Sequence, residues 1–470
     1  MEEVVGSIPT RSTKVLSPTF RLQRRHTMVH CVSSGCSLLM RFSRRHFIKL
    51  SSGGAAALAG LPLSAKDQGA EQCTKLPPSI TRLTSRKNEA VPISADEIRT
   101  RTERARQLMS ANGLQGIVIT SGSSLPYFSA VHWWTSERLF SMVLPVKGEA
   151  FFVCPAFEED RAREQLVKGP FGTNADVRTW QEDEDPYQRV AQGCADLGLR
   201  GGTLGIEEKT PFVFSNGIAK VLPALQIASA TPVTAGCRMV KSAQEIALMR
   251  LAAQVTLAAY AAAYRALREG MTQYEFAHLV KAAHEQLGFE GGAEVQVGKY
   301  SALPHGSIQP QQIREGAILL MDGGCSVEGY ASDISRTFVL GKPTDKMKQV
   351  FEIVHRAQST ALATARPGLP CEAVDAAARD VVVTAGYGPG FKYFTHRVGH
   401  GMGMDGHEWP YLVHGDKTPL QANMVFSDEP GIYIREEFGV RLEDDMHITP
   451  NGAELFTPQS PSLESPFGTA

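Results

Sequence analysis

The chain has no CxxC pair of cysteines. Its eight cysteines are scattered: Cys31 and Cys36 near the front, then Cys73, Cys154, Cys194, Cys237, Cys325 and Cys371, with no CxxC spacing of a metal or redox site. A chain of 470 residues can build cores without disulfides, so Cys325, close to Asp322, reads as packing. A dominant basic field is also lacking. Residues 1–49 hold nine of the 48 basic and two of the 49 acidic residues, leaving 39 against 47, a net of -8. Such a body gives no support to nucleic-acid binding. No strand–Gly-x-Gly-x-x-Gly–helix unit is present, and the glycine run GHGMGMDGH at 399–407 lacks that context. Nor is there a dependable membrane span. The run LSSGGAAALAGLPLSA is short and glycine-rich, and AQEIALMRLAAQVTLAAYAAAYRALREG is interrupted by Glu245, Arg250, Arg265 and Arg268, as expected of a helix packed on a sheet.

What is there begins with a leader. Arg44-Arg45 in SRRHFIK, ahead of the short apolar run, matches a twin-arginine export signal. Met40 is a candidate initiator, and cleavage after Ala65 would leave a soluble periplasmic product; cytoplasmic location is the alternative. Residues 1–65 are therefore read as extension and signal, and 66–96 as a polar lead-in. From 97 to 240, helical and strand patterns alternate, ADEIRTRTERARQLMSANG then LQGIVIT for example, which predicts an α/β domain. From 241 to 461, two helix pairs accompany AILLMDGG, SRTFVL, MVFSDEPGIYI and GVRLEDDMHITP. This predicts an α+β domain on a largely antiparallel sheet, followed by a 462–470 tail.

Chemistry concentrates in that second domain. Asp322 closes the apolar strand ILLM, where a carboxylate is costly unless paired or metal-bound. Asp333 lies beside ISRTFVL, so a hairpin can bring the two acids together. His400 sits in a glycine-rich loop between His396 and His407, Glu429 precedes the Pro430-Gly431 turn, and Glu443 follows Arg441 on an alternating strand. His305 in ALPHGS is a further candidate. Four carboxylates and one imidazole would over-neutralise a single divalent ion, whereas two ions sharing carboxylates balance the charge. Hard oxygen ligands with one imidazole suit Mn, with Co, Zn and Fe as alternatives.

In these segments the sequence resembles the pita-bread metallopeptidases, Xaa-Pro aminopeptidases and Xaa-Pro dipeptidases in particular, over about 97–461. The resemblance implies a creatinase-like first domain, a catalytic domain with a curved antiparallel sheet and pseudo-twofold symmetry, and a homodimer. It implies two divalent metals, bridged by Asp333 and Glu443, with Asp322 completing one site and His400 and Glu429 the other. His305, His396 and His407 would line the substrate side, Arg441 would support the network, and Glu429 would also take the proton of the nucleophilic water. Two departures are visible: Asn423 stands where a glycine is common, and Ser427-Asp428 replaces a threonine-plus-apolar pair. The expected substrate is a peptide with proline in second position. Aminopeptidase action is the first expectation, slightly ahead of dipeptidase action or a small non-peptide substrate; the intact ligand set speaks against a non-catalytic peptide-binding protein. Trp133 and Trp134 are read either as core or dimer contacts or as a reach towards the site rim.

Overall fold

The structure, a computed structural model, describes residues 75–468; the twin-arginine segment and its cleavage point lie outside the described residues. Ser94 accepts a hydrogen bond from the Glu97 amide and starts the helix Ala95–Ala111, after which Gly113 turns the chain at φ 69°. The first domain then builds six strands: β1 (Leu114–Thr120), β2 (Ser141–Pro145), β3 (Phe151–Pro155), β4 (Asp176–Trp180), β5 (Gly202–Ile206) and β6 (Leu225–Ser229). Their order is β4-β3-β2-β1-β5-β6. β2 pairs antiparallel with β1 and β3, while β3–β4, β1–β5 and β5–β6 are parallel. Because side chains alternate along a strand, Ile117 and Ile119 enter the apolar core on one face of the sheet and Val118 the core on the other. This accounts for the unbroken apolar run of β1.

The second domain contains β7 (Glu290–Val297), β8 (Ile318–Val327), β9 (Tyr330–Ala331), β10 (Ile334–Val339), β11 (Gly399–Gly401), β12 (Glu408–Leu412), β13 (Val425–Asp428), β14 (Gly431–Ile434), β15 (Phe438–Arg441), β16 (Asp444–Thr449) and β17 (Gly452–Leu455). They form the sheets β10-β8-β7, with β9 beside β8, and β12-β11-β13-β16-β17, plus the hairpin β14-β15. Every pairing in this domain is antiparallel. Helices Ala243–Tyr264 and Gln273–Leu287, each opened by a capping box, share a core with Leu319 and Met321 of β8. Helices Asp345–Thr364 and Cys371–Thr384 share a second core with Phe426 and Met446. The long apolar helix is the one candidate membrane span among the described residues, and Leu248, Val255 and Tyr260 on it are buried in the first of these cores.

Two flanking segments are more integrated than their composition suggests. Ile80 of the lead-in is fully buried against the second domain. In the tail, Leu463 is buried and its carbonyl accepts from the Val339 amide at 2.9 Å. The expected strands MVFSDEPGIYI and GVRLEDDMHITP are each split, into β13/β14 and β15/β16. Proline cannot donate to a ladder, so Pro430 ends one pairing as Gly431 begins the next. β7 opens with Glu290, Gly291 and Gly292, residues of low strand preference, which hides it in the sequence.

Candidate active site

Both splits fall at the acids of interest. Asp428 pairs with Asp444, and Gly431 with Arg441, so Glu429 and Glu443 sit across from one another where the chain passes from one sheet to the next. Asp322 lies on β8 opposite Ser335 of β10, and Asp333 is in the connection just before β10. β11 carries His400. A Cβ on Gly399 would collide with the Ser427 carbonyl, so glycine there permits β11 to approach β13 closely.

Three overlapping sets of donor atoms lie within 4.8 Å of one another: Asp322, Asp333 and Glu443; His400, Glu429 and Glu443; and Asp333, His400 and His407. Asp333 and Glu443 each belong to two sets, the arrangement two cations sharing carboxylates would use. Burial, and then the neighbouring carboxylates, push the Asp333 and Glu443 carboxyls well above their usual range. Glu443 Oε1 is buried without a hydrogen-bond partner. Several carboxylates so close, with an orphaned oxygen among them, call for cations, and the donor set fits divalent metal. His400 is prepared for it: Nδ1 lies 3.2 Å from the Gly401 carbonyl, which leaves Nε2 to face Glu429 Oε1 at 3.3 Å and Asp333 Oδ2 at 3.8 Å. Burial, then the His407 charge, lowers the His400 pKa to about 3, the neutral form a ligand needs.

The surrounding groups hold this cluster in place. Arg441 Nη2 meets Asp322 Oδ2 at 2.6 Å. Its Nε donates to Ser335 Oγ at 2.8 Å, and Nη1 donates to the Pro304 carbonyl and to Tyr433 Oη. One guanidinium thus ties together a candidate ligand, the His305 loop and an aromatic hydroxyl. Ser335 Oγ also lies 2.8 Å from Asp322 Oδ1 and 2.6 Å from Glu443 Oε2. Ser427, one of the departures, accepts from the His400 amide and donates to Glu429 Oε1 at 3.1 Å. Asn423, the other, adopts φ 71°, a left-handed conformation that glycine takes freely and asparagine tolerates. Asp444 and Asp445 are fully buried: Asp444 pairs with Arg336, and Asp445 accepts from the Asp333 amide.

The three histidines expected on the substrate side differ in freedom. His396 Nδ1 is 2.8 Å from the Arg397 carbonyl and Nε2 2.7 Å from Tyr433 Oη, so both ring nitrogens are engaged and the ring orients its neighbours. His407 stacks on His400 with centroids 3.6 Å apart and, like His305, keeps an exposed ring. All three line the cavity above the cluster, with Arg397. The His407 loop is held largely from the first domain. Asp405 takes Lys209 and Arg238, both at 2.7 Å, and the Ser123 hydroxyl, while Glu408 takes Arg238 and Lys241. Trp133 is buried between Trp134 and Phe140, and neither tryptophan lines that cavity. Cys325 is buried with its thiol 3.3 Å from the Ala252 carbonyl.

Ser335, Tyr433, Ser427 and Arg397 escape a reading by sequence, because their roles come only from three-dimensional convergence. For Arg397 a signal existed, its place between His396 and His400.

Comparison with known proteins places this geometry. Residues 247–450 match Metallopeptidase family M24, and residues 101–240 match the Creatinase/Prolidase N-terminal domain. An Xaa-Pro dipeptidase of Lactobacillus delbrueckii subsp. lactis is 30% identical over 370 residues, 77% of this chain and 98% of the relative. The crystal structure of dipeptidase PepE from Mycobacterium ulcerans superposes with a TM-score of 0.74 at 33% identity, covering 80% of this chain and 99% of that one. An X-Pro aminopeptidase structure from Thermotoga maritima gives a TM-score of 0.67 at 28% identity, covering 77% and 99%. Fold, donor cluster and sequence relationship agree: this chain belongs to metallopeptidase family M24, with a creatinase/prolidase-type N-terminal domain.

Proposed function

We propose that the protein is a dinuclear Xaa-Pro dipeptidase, the alternative rather than the first of the two peptidase expectations. The observation that carries the choice is Arg397. It lines the cavity above the metal cluster, its guanidinium stacks over Tyr411 at 4.2 Å, and among the described residues it makes no ion pair. A dipeptide presents a free carboxylate one residue beyond the scissile bond, and an unpaired guanidinium is its natural receptor. The dipeptidase names of several relatives support the same choice.

In this reading Asp322, Asp333, His400, Glu429 and Glu443 hold two divalent ions, with Mn preferred over Co, Zn or Fe. When bound, such ions acidify water and polarise a carbonyl. Glu429, held by the Ser427 hydroxyl at 3.1 Å and lining the cavity, takes the proton of the attacking water and later returns it. His305 and His407, with exposed rings, meet the developing oxyanion and the leaving imide nitrogen. Arg441 positions Asp322 and the His305 loop. Proline makes the scissile bond a tertiary amide that general peptidases handle poorly. Replacement Arg397→Ala should raise KM for X-Pro at least about tenfold, the loss of one charge-assisted contact, and should leave the amidated X-Pro-NH2 nearly unaffected. Equal losses on both substrates would remove Arg397 from this role.

Periplasmic delivery by the twin-arginine route and a homodimeric assembly complete the proposal. With Arg44 and Arg45 both replaced by lysine, fractionation should find active enzyme retained in the cytoplasm. Unchanged delivery would rule out that route.

A further inference from the structure

A second cavity, of about 300 Å³, adjoins the metal-cluster cavity and shares His305 with it. Its walls come from the edge strand β7, the start of the helix Gln273–Leu287 and the loop after His305. Its polar groups are not equally free. Gln296 Oε1 accepts from the Ser307 amide at 2.9 Å and from Gln311 Nε2 at 2.8 Å, and Gln273 Nε2 donates to the Gln309 carbonyl. Both side chains are spent in fixing the loop. Glu294 is different. It is exposed in the cavity, and no cation among the described residues pairs with it. It stands directly opposite Asp322 in the β7–β8 register, so the two carboxylates leave the sheet on the same face with Cβ atoms about 5 Å apart. Asp322 is neutralised by Arg441, and Glu294 is left to attract a cation of its own.

The two cavities together have an electrical direction. The unpaired cation Arg397 lies beside His400 and His407, and the unpaired anion Glu294 beside Asp322. Resting on the dipeptidase reading, in which Arg397 takes the substrate carboxylate, this polarity turns the N-terminal residue towards β7. A cavity of this size is far larger than an ammonium group alone requires. Ala277 and Tyr274 supply apolar wall for a methylene stem, with Glu294 to meet a charged end. We propose that this cavity receives the side chain of the substrate's N-terminal residue and that Glu294 selects long cationic side chains, those of lysine and arginine.

The test compares Lys-Pro, norleucine-Pro and Glu-Pro, in which length is similar and charge differs, on metal-loaded enzyme. Wild type should favour Lys-Pro over norleucine-Pro in kcat/KM by roughly fivefold, the scale of an ion pair with one side to solvent, and should disfavour Glu-Pro. In Glu294→Gln the Lys-Pro preference should fall towards one, and in Glu294→Lys it should turn towards Glu-Pro. Binding of free L-lysine against L-norleucine, read by calorimetry on wild type and Glu294→Gln, gives an arm independent of cleavage. Cleavage of X-Pro with no lysine preference, or with a preference unchanged in Glu294→Gln, overturns the role of Glu294 and spares the dipeptidase reading. Absence of X-Pro cleavage with Glu294-dependent lysine binding does the reverse, supporting the cavity assignment and removing the proline-dipeptide reading.

Discussion

Asp333 belongs to two of the three donor sets. Its backbone amide is held by Asp445, which fixes the carboxylate between the clusters while leaving its oxygens to face His400 and the neighbouring acids. Removing it should therefore affect both ions. Asp333→Ala is expected to lower metal content at both positions and turnover by about a hundredfold or more, beyond the usual cost of losing an outer-sphere partner. Elemental analysis beside a kinetic assay checks this, and full occupancy with unchanged turnover would contradict it. At this scale the clustered acids were legible as candidates because each is an expensive residue in an apolar or turn context: Asp322 after ILLM, Glu429 before Pro430-Gly431. Ser335 and Tyr433 were not, since a serine or tyrosine on a strand has ordinary structural uses and only convergence on Arg441 distinguishes these two.

At the scale of elements, strands were visible wherever burial makes apolar runs, as in β1 and β8, and invisible where glycine and glutamate open an edge strand, as in β7. Pro430 marks the break between β13 and β14, whereas the one between β15 and β16 was hidden because both halves of that run are buried and only the pairing partners reveal the switch. The end of β5 carries a separate consequence. Glu207 follows it, is 3% exposed, and has an unpartnered Oε2. Burial, with help from Glu208 and against a Ser124 hydrogen bond and Arg238, raises its pKa from 4.5 to about 7. A carboxyl whose native pKa lies above its unfolded value favours the fold when protonated. Its contribution is complete below about pH 4.5 and is lost as pH rises through 7. Glu207→Gln should remove that loss, gaining on the order of 3 kcal/mol over wild type at pH 8 relative to pH 4.5. Urea unfolding at the two pH values measures it, and an identical pH dependence in both proteins would contradict the assignment.

Over the whole molecule, the first domain does more than accompany the second. Lys209, Arg238 and Ser123 of the first domain grip Asp405, and Arg238 also grips Glu408, so the loop presenting His407 is fixed from outside its own domain, with Lys241 at the domain junction completing the Glu408 contacts. The pairs of Glu408 with Arg238 and Lys241 are buried, and buried pairs are sensitive to losing one partner. The two-domain division was legible in composition and alternation; the grip was not, because its acids and bases lie more than 160 residues apart. In the proposed reading, Arg397 at one end of the cavity and the donor cluster at its centre suit a short substrate with a free carboxylate. The direct measurement is hydrolysis of the matched peptides X-Pro, X-Pro-Y, X-Ala and X-Ala-Y by metal-loaded enzyme. Cleavage of X-Pro well ahead of the other three is the expected result. Release of X from X-Pro-Y as fast as from X-Pro, or cleavage of none of the four, would contradict it.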